Sequence, residues 1–347
     1  MQKRLNTALF LIGIVAVIVM LLTFKVSFAE LWSYIHRAGY WLVAAVLLWG
    51  VLYGLNALTL RIIIRGSGPC PVGFCRLWQI VVSGFALNTT VPVGGIGGEP
   101  YRIMELSKYV GIERATSSVV LFAMTHVFSH FWFWLTGIIV YVLLWMAGLL
   151  PLPVAMRWIM GLAVLLCAGG IWLFTYGYKY GLVCKAVRLL GRVPGLKNWS
   201  RRFEEAHRES LQKIDQQIAQ LQGQNLRAFL QSFFLEYAGR ILQGLEVFFI
   251  LMLFGFNSGQ SVVGFLYVFC IAFLILVFTS LFANLVGFIP LQLGGREGGF
   301  ALSVAALGMT AELGLFISII CRVREIIWAV IGLLLLKLFN KNQSNNL

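Results

Sequence analysis

The chain has 347 residues, of which 60% are hydrophobic and only 12% are charged. Soluble domains carry roughly 25% charged residues, so this composition excludes a water-soluble protein. A formal net charge of +14 would suggest nucleic-acid binding in a soluble chain. Here the basic residues lie beside apolar runs, which is typical of the cytoplasmic ends of membrane spans.

Seven apolar runs reach the length of about 20 residues that a helix needs to cross a bilayer. They lie at 5–24, 40–64, 116–146, 154–176, 229–254, 262–282 and 312–336. They do not alternate between apolar and polar residues as the strands of a membrane barrel would. The pattern predicts an all-α integral membrane protein, a single domain over 1–347 with a polytopic bundle of about seven to eight spans.

The first run follows Lys3 and Arg4, so it could be read as a secretory signal. Its apolar stretch is long, however, and no A-x-A-like cleavage site follows it, which favours a retained span. Residues 177–227 contain ten lysines and arginines but only four acidic residues, and they predict a cytoplasmic connector between two halves. Within it, Trp199–Gln224 has helix-like apolar spacing and predicts either a surface helix on anionic lipid or a solvated connector. The resulting topology places the N-terminus in the cytoplasm and the protein in the cell (inner) membrane.

Two hydrophobic stretches are interrupted, Leu77–Gly111 and Asn284–Gly308. Each contains an asparagine, a proline, a glycine pair and a glutamate, and in each the glutamate lies seven residues after the proline. The offset between them is about 198 residues, which indicates an internal repeat. Paired Gly/Pro interruptions in two halves point to the midplane site of a transporter, because broken helices expose backbone N–H groups that must face a cavity. We therefore predict two broken or re-entrant elements; two ordinary interfacial loops are the alternative.

Ionisable residues within spans are the candidates for function, since each costs about 2.5–3.5 kcal/mol at the centre of a bilayer. On the fifth span, Glu236 and Arg240 share one polar stripe. On the last span, Arg322 and Glu325 are three residues apart and can pair, whereas Arg324 needs a partner from another helix. Structural ion pairing explains Glu236 and Arg240 about as well as substrate contact does.

The interrupted stretches place charges of both signs beside freed helix N-termini: Glu99 and Arg102 in the first, Arg296 and Glu297 in the second. Helix N-termini favour anions such as phosphate. The alternative is that each glutamate caps its own helix.

His126 and His130 are four residues apart on the third span, a spacing that fits a metal site, a proton relay or plain packing. No third metal ligand is evident, no Lys-Ser/Thr follows the glycines at 94–98, and there is no G-x-S-x-G sequence. We therefore predict no metal, no cofactor and no catalytic residue of these types.

The strings PVGGIGGEPYRIMELSKYVG (92–111) and IPLQLGGREGGFALSVAALG (289–308) resemble the two signature stretches of the lysylphosphatidylglycerol synthase transmembrane-region family. This is the flippase-like membrane domain also found in the multiple peptide resistance factor. The resemblance covers about 40–339, and it rests on two motifs in the right order and spacing.

The resemblance implies an eight-span-like helical domain that moves lipids between leaflets, with its broken elements around a central cavity. Two departures stand out. Where the family usually has an acidic residue followed by arginine, this chain has Thr125 and His126, which weakens any claim about headgroup charge. The aminoacyl-transferring domain that often follows is missing from this sequence, so lipid synthesis is not implied.

The functional hypothesis is a lipid translocase that passes a headgroup through a polar cavity between two repeats. Alternatives are an intramembrane enzyme that acts on a lipid, or a membrane scaffold for a lipid synthase. The expected partners are membrane lipids with anionic or zwitterionic headgroups and possibly a separately encoded synthase, but not nucleic acid. The candidate substrate-binding residues are Glu99, Arg102, His126, Glu236, Arg240, Arg296, Glu297, Arg322, Arg324 and Glu325.

Overall fold

A computed structural model describes residues 28–90, 97–179, 209, 226–256, 261–285 and 295–344. The described residues form helices and contain no strand. In chain order the helices are α1 (Phe28–Gly66), α2 (Phe74–Thr90), α3 (Gly98–Val110), α4 (Ile112–Met146), α5 (Val154–Lys179), α6 (Leu226–Leu253), α7 (Val262–Leu285), α8 (Gly295–Ala306) and α9 (Ala311–Ser344). The predicted span at 5–24 and nearly all of the basic connector lie outside the described residues.

Four of the described helices are long and apolar enough to cross a membrane, and they confirm four predicted runs as apolar helices. They are Gly39–Gly66, Ile112–Met146, Val154–Trp172 and Val262–Asn284. Helices α6 and α9 cover two further predicted runs, but both carry buried ionisable side chains. The total number of spans stays a prediction.

Both interrupted stretches separate a long helix from a short one. Helix α2 ends at Thr90 and α3 begins at Gly98; α7 ends at Leu285 and α8 begins at Gly295. The stretches 91–96 and 286–294 lie outside the described residues. Each short helix is followed by a glycine with positive φ, Gly111 at 81° and Gly308 at 80°, a conformation that ends helices. Both interrupted stretches, which were defined from the sequence as ending at Gly111 and Gly308, thus contain a short helix that ends at or just before that glycine.

The bundle is organised around the packing of α1 along α6. Helix α2 packs on α1, α3 and α9, whereas α7 packs on α6, α8 and α4. Each short helix also packs on the long helix that follows it, α3 on α4 and α8 on α9, and α5 packs on α4. One apolar core cluster joins α1, α2, α4 and α9, and a second joins α6, α7, α8 and α9.

Two glycines allow long helices to approach each other closely. A Cβ atom at Gly332 of α9 would lie 2.7 Å from the carbonyl oxygen of Val82 on α2. A Cβ atom at Gly137 of α4 would lie 2.4 Å from a methyl group of Val277 on α7. Small residues at such crossings are typical of helix packing in membranes, where close backbone approach drives association.

The distribution of polarity is inverted relative to a soluble protein. Large apolar side chains such as Leu143, Leu162 and Leu266 are exposed on the outside, while Arg324 and Glu246 are buried inside. An apolar exterior faces lipid without cost, and buried charges in such proteins mark interior pathways or pairs. The protein is an integral membrane protein in which a set of charged residues is buried between the helices.

Candidate functional site

Helix α3 carries the first pair of charged candidates, and a side chain of α2 holds the beginning of α3 in place. Arg102 donates a hydrogen bond to Glu99, with Nη1 and Oε1 2.9 Å apart. Asn88 of α2 accepts a hydrogen bond from the Gly98 backbone N–H and donates another to Glu99. The first turn of α3 is therefore capped by Asn88 from a neighbouring helix, and the Glu99 side chain is directed to Arg102.

Glycines explain how α3 comes so close to α2. A Cβ atom at Gly98 would lie 2.0 Å from the Gly84 carbonyl oxygen, and one at Gly84 would lie 2.5 Å from Nε of Arg102. A side chain at either position would collide with its neighbour. Gly84 of α2 and Gly98 of the first signature stretch thus place Arg102 against the backbone of α2.

Helices α4 and α6 supply a second set of polar contacts. Nδ1 of His126 lies 2.5 Å from Oε1 of Glu236, so that the imidazole donates to the carboxylate. Arg240 donates to the Ser129 hydroxyl, to the His126 carbonyl and to Nε2 of His130. Because an arginine can only donate, His130 accepts through Nε2 and holds its own proton on Nδ1, beside the His126 carbonyl at 3.2 Å. These contacts explain His130 as a residue that orients Arg240.

These two sets of contacts surround a cavity of 570 Å³, the larger cavity. Its wall comes from α1, α2, α3, α4 and α6, and it includes Trp49, Tyr53, Asn88, Glu99, Arg102, His126, His130, Arg240 and Gln243. The His126 side chain keeps 44% of its surface accessible, and that of Glu99 keeps 24%. Both belong to the cavity wall, so we assign this accessible surface to the cavity.

Several polar atoms around the larger cavity lack a hydrogen-bond partner within the described part of the chain. They are Tyr53 Oη, Glu99 Oε2, Arg102 Nε and Glu236 Oε2. Unpaired polar atoms are costly in a buried environment, by about 1–3 kcal/mol each. The set contains both donors and acceptors, which is what a ligand with groups of both kinds requires.

The remaining charged candidates form a second cluster between α6, α8 and α9. Arg324 donates to both oxygens of Glu246, at 2.8 and 3.0 Å. Arg322 donates to Glu297 at 3.0 Å, and Arg296 donates to Glu325. The partner that Arg324 needs from another helix is therefore Glu246, and the predicted pair between Arg322 and Glu325 is present at 3.4 Å.

A smaller cavity of 160 Å³ lies beside the second cluster and is lined by Arg296, Glu246 and Cys321 among others. It shares four wall residues with the larger cavity: Trp49, His130, Arg240 and Gln243. Trp49 also donates to Glu246 at 2.8 Å and stacks on Arg324, with the guanidinium carbon 3.8 Å from the ring centroid. The two cavities are therefore adjacent, and Arg240 is one of the residues that line both of them.

The structure places all ten predicted site residues in one of two groups. The first ion cluster is Glu99, Arg102, His126, Glu236 and Arg240; the second is Arg296, Glu297, Arg322, Arg324 and Glu325, joined by Glu246. Capping by Glu99, the alternative interpretation, is replaced by the Asn88 contact. Within the described residues, no three His, Cys, Asp or Glu side chains are grouped to hold a metal ion.

Sequence reasoning missed three contributors to the site. Glu246 could have been identified from the sequence, because it is an ionisable residue inside a predicted span, which is the criterion that selected the other candidates. Trp49 and Tyr53 gave no such signal, since aromatic residues in an apolar helix look like ordinary core or lipid-facing positions. Only the packing of α1 on α6 and α2 brings them to the cavity wall.

Comparison with known proteins gives one positive result. No curated protein and no solved structure matches the chain. The model of one family, described as "Lysylphosphatidylglycerol synthase TM region", matches residues 9–333, which is nearly the whole sequence. Both signature stretches, the helices on either side of them and both ion clusters fall inside this match. The chain therefore belongs to the lysylphosphatidylglycerol synthase transmembrane-region family.

Proposed function

We propose that this protein is a lipid translocase, which moves a phospholipid or lipid-linked headgroup between the two leaflets. The observation that carries the proposal is the larger cavity, which places charged and polar side chains inside an otherwise apolar bundle. Membership of the family supports a role in lipid handling, because the family is named for the membrane region of a lipid synthase.

The physical barrier to lipid movement is the transfer of the headgroup from water into hydrocarbon. Burial of a polar group without a compensating hydrogen bond costs roughly 2–7 kcal/mol, and an isolated charge costs far more. Side chains such as Glu99, Arg102 and His126 can replace the water around the headgroup. The lipid tails remain in the bilayer against the apolar exterior of the bundle.

The proposed mechanism uses two halves that are related as an internal repeat, α1–α4 and α6–α9. The helix contacts support this, because exchanging each helix of one half with its counterpart reproduces most of them. The packing of α1 on α2 matches that of α6 on α7, and the packing of α3 on α4 matches that of α8 on α9. The close approaches of Gly332 to Val82 and of Gly137 to Val277 are also related by one offset, 195 residues. Movement of one half against the other around a fixed site is a common mechanism of transport.

The partners and location follow from the same proposal. The transported molecule is a membrane lipid with an anionic or zwitterionic headgroup, and a separately encoded synthase supplies it if the lipid is modified. The protein lies in the cell membrane with a cytoplasmic N-terminus and connector, in keeping with the basic residues of 177–227.

The proposal is tested with purified protein in liposomes that contain a phospholipid with a fluorophore on its acyl chain. Dithionite quenches only the outer leaflet, so the accessible fraction reports translocation. We expect the protein to raise that fraction and Arg102→Ala to lower the rate at least about tenfold, the loss of about 1.4 kcal/mol of stabilisation. Arg157→Ala is the matched control, because Arg157 is exposed on α5 away from both cavities.

Wild-type protein that leaves the accessible fraction at the level of empty liposomes would refute the proposal. Equal rates for wild type and Arg102→Ala would remove the larger cavity as the pathway.

The contact between His126 and Glu236 favours a second candidate, an intramembrane enzyme that acts on a lipid. A histidine oriented by a carboxylate and accessible to a cavity is a common arrangement for a general base. Mass spectrometry of the liposome lipids separates the candidates: a changed lipid favours the enzyme, and movement without change favours the translocase. If the lipids are neither moved nor changed, the membrane scaffold is favoured instead.

A further inference from the structure

The charges of the two ion clusters balance. Together they contain five arginines and five glutamates, counting Glu246: Arg102, Arg240, Arg296, Arg322 and Arg324 against Glu99, Glu236, Glu246, Glu297 and Glu325. The first cluster alone is balanced too, with two arginines and two glutamates. The interior that surrounds the larger cavity therefore has no excess charge from these residues.

A balanced interior discriminates between headgroups by their net charge. A headgroup with a net charge would be an uncompensated charge in a medium of low dielectric constant, where such charges are strongly disfavoured. A zwitterionic headgroup adds one positive and one negative group and leaves the balance intact. The cost of entry is thus lowest for a headgroup without net charge.

We propose, on the basis of the translocase function, that the larger cavity binds a zwitterionic headgroup made of a phosphate and a protonated amine. Arg102 receives the phosphate and Glu99 receives the amine. The two side chains form a pair that is held by a single hydrogen bond of 2.9 Å, and the Glu99 side chain is 24% accessible. When a zwitterion binds, the pair between Arg102 and Glu99 is broken and two new pairs form, one between Arg102 and the phosphate and one between Glu99 and the ammonium group. No charge is then left without a partner.

The unpaired atoms support this assignment. Arg102 Nε and Tyr53 Oη are donors without a partner among the described residues, and both side chains are more than nine-tenths buried in the cavity wall. Glu99 Oε2 is an acceptor in the same wall without a partner among the described residues. Glu236 Oε2 also lacks a partner there, but Glu236 lies behind His126 and is not part of the wall. Donors for a phosphate and an acceptor for an ammonium group are therefore both present in the cavity wall.

The second cluster does not offer the same exchange. Arg324 is fully buried and holds Glu246 through two hydrogen bonds, a geometry that is stronger than a single bond. Arg296 and Arg322 share Glu325 in addition. These cross-linked pairs resist replacement by a ligand. Glu297, which Arg322 contacts, is 27% accessible, but neither of these two residues lines either cavity. The pair of Arg102 and Glu99, whose members both line the larger cavity, is therefore assigned as the binding site.

The test compares two phospholipids in the liposome assay that have identical labelled acyl chains. One has a phosphoethanolamine headgroup, which is zwitterionic, and the other has a phosphoglycerol headgroup, which is anionic. We expect wild-type protein to move the phosphoethanolamine lipid about tenfold faster, a difference of about 1.4 kcal/mol in the barrier.

A change of one charge in the cavity should alter this preference. Glu99→Gln leaves the first cluster with one excess positive charge, and we expect it to move the phosphoglycerol lipid at least as fast as the phosphoethanolamine lipid. Glu105→Gln is the matched control: Glu105 lies on the same helix but pairs with Arg76 and Lys108 outside the cavity. This control should keep the wild-type preference.

The outcomes separate the two levels of the proposal. If no lipid moves in wild-type liposomes, the translocase function fails; if both lipids move at equal rates, only the headgroup assignment fails. An unchanged preference in folded Glu99→Gln protein would also overturn the assignment. Should that variant aggregate in size-exclusion chromatography, Arg102→Gln gives the opposite change of charge, and its phosphoglycerol rate must fall more than its phosphoethanolamine rate.

Discussion

Both ion clusters pair arginines with glutamates, but they differ in the number of bonds that hold each charge and in the space beside them. In the first, Arg240 is 3.9 Å from Glu236 and makes its hydrogen bonds to neutral groups, while Glu99 and His126 retain accessible surface. In the second, Arg324 has no accessible surface and is shared between Glu246 and Glu325. Glu297 keeps 27% of its surface accessible, but neither it nor Arg322, which it contacts, lines either cavity. The adjacent cavities are 570 and 160 Å³ respectively.

This difference separates two uses of buried charge in one membrane protein. Pairs that are saturated by several partners join helices α6, α8 and α9 and hold their relative positions. Pairs with one bond and a cavity beside them can exchange partners with a ligand. The comparison leads us to expect loss of stability from changes in the second cluster and loss of transport from changes in the first.

The largest effect is expected for Arg324→Ala. The substitution leaves Glu246 and Glu325 buried with fewer positive partners, and removal of one member of a buried ion pair costs about 3–5 kcal/mol. It also removes the stacking of the guanidinium on Trp49. We expect a large fall in the midpoint of thermal unfolding in detergent, with little folded protein recovered.

Arg102→Ala is the comparison for this measurement, and we expect it to lose about 1–2 kcal/mol, because Arg102 makes one charged hydrogen bond. The double variant Arg324→Leu with Glu246→Leu should recover part of the loss, since no unpaired charge remains between these two positions. A loss for Arg324→Ala no greater than that for Arg102→Ala would contradict the division into a structural and a binding cluster.

The next effect concerns the beginnings of the two short helices. Gly98→Ala brings a Cβ atom to 2.0 Å from the Gly84 carbonyl oxygen, so α3 must move away from α2; overpacking of this kind costs about 1–3 kcal/mol. Gly298→Ala in α8 meets nothing within 4 Å and should be neutral or slightly stabilising, because alanine favours helices over glycine. Thermal unfolding of the two variants measures the difference. Equal midpoints would show that the close contact between α2 and α3 is not needed.

Much of the fold could be predicted because the hydrophobic runs and glycines act locally. The apolar runs gave the helices at 39–66, 112–146, 154–172 and 262–284, and the glycines at 111 and 308 gave the ends of the short helices. Membrane insertion depends on apolar length, and a positive φ favours glycine, so both features can be read from neighbouring residues.

The site was only partly predictable because pairing depends on helix packing. Ionisable residues in apolar helices pointed to the correct side chains, including Arg324, whose partner had to come from another helix. The sequence could not give that partner, because Glu246 is 78 residues away and is brought there by the packing of α6 and α9 around α1. The roles of Trp49 and Tyr53 depend on the same packing.

The smallest effect is expected for the two asparagines that precede the interruptions. Asn88 caps α3 from outside by accepting a hydrogen bond from the Gly98 N–H and directs Glu99 through a second bond. Within the described residues, the side chain of Asn284 instead donates to the Ser280 carbonyl of its own helix. Asn88→Ala should therefore cost about 1 kcal/mol of stability, as the loss of a helix cap does. It should also slow translocation severalfold, because Glu99 loses its orientation, while Asn284→Ala should change neither property. Both variants are measured by thermal unfolding and by the liposome assay.

If Asn284→Ala slows translocation as much as Asn88→Ala, the smaller cavity, whose wall includes Asn284, takes part in binding. The functional difference between the two regions would then have to be abandoned.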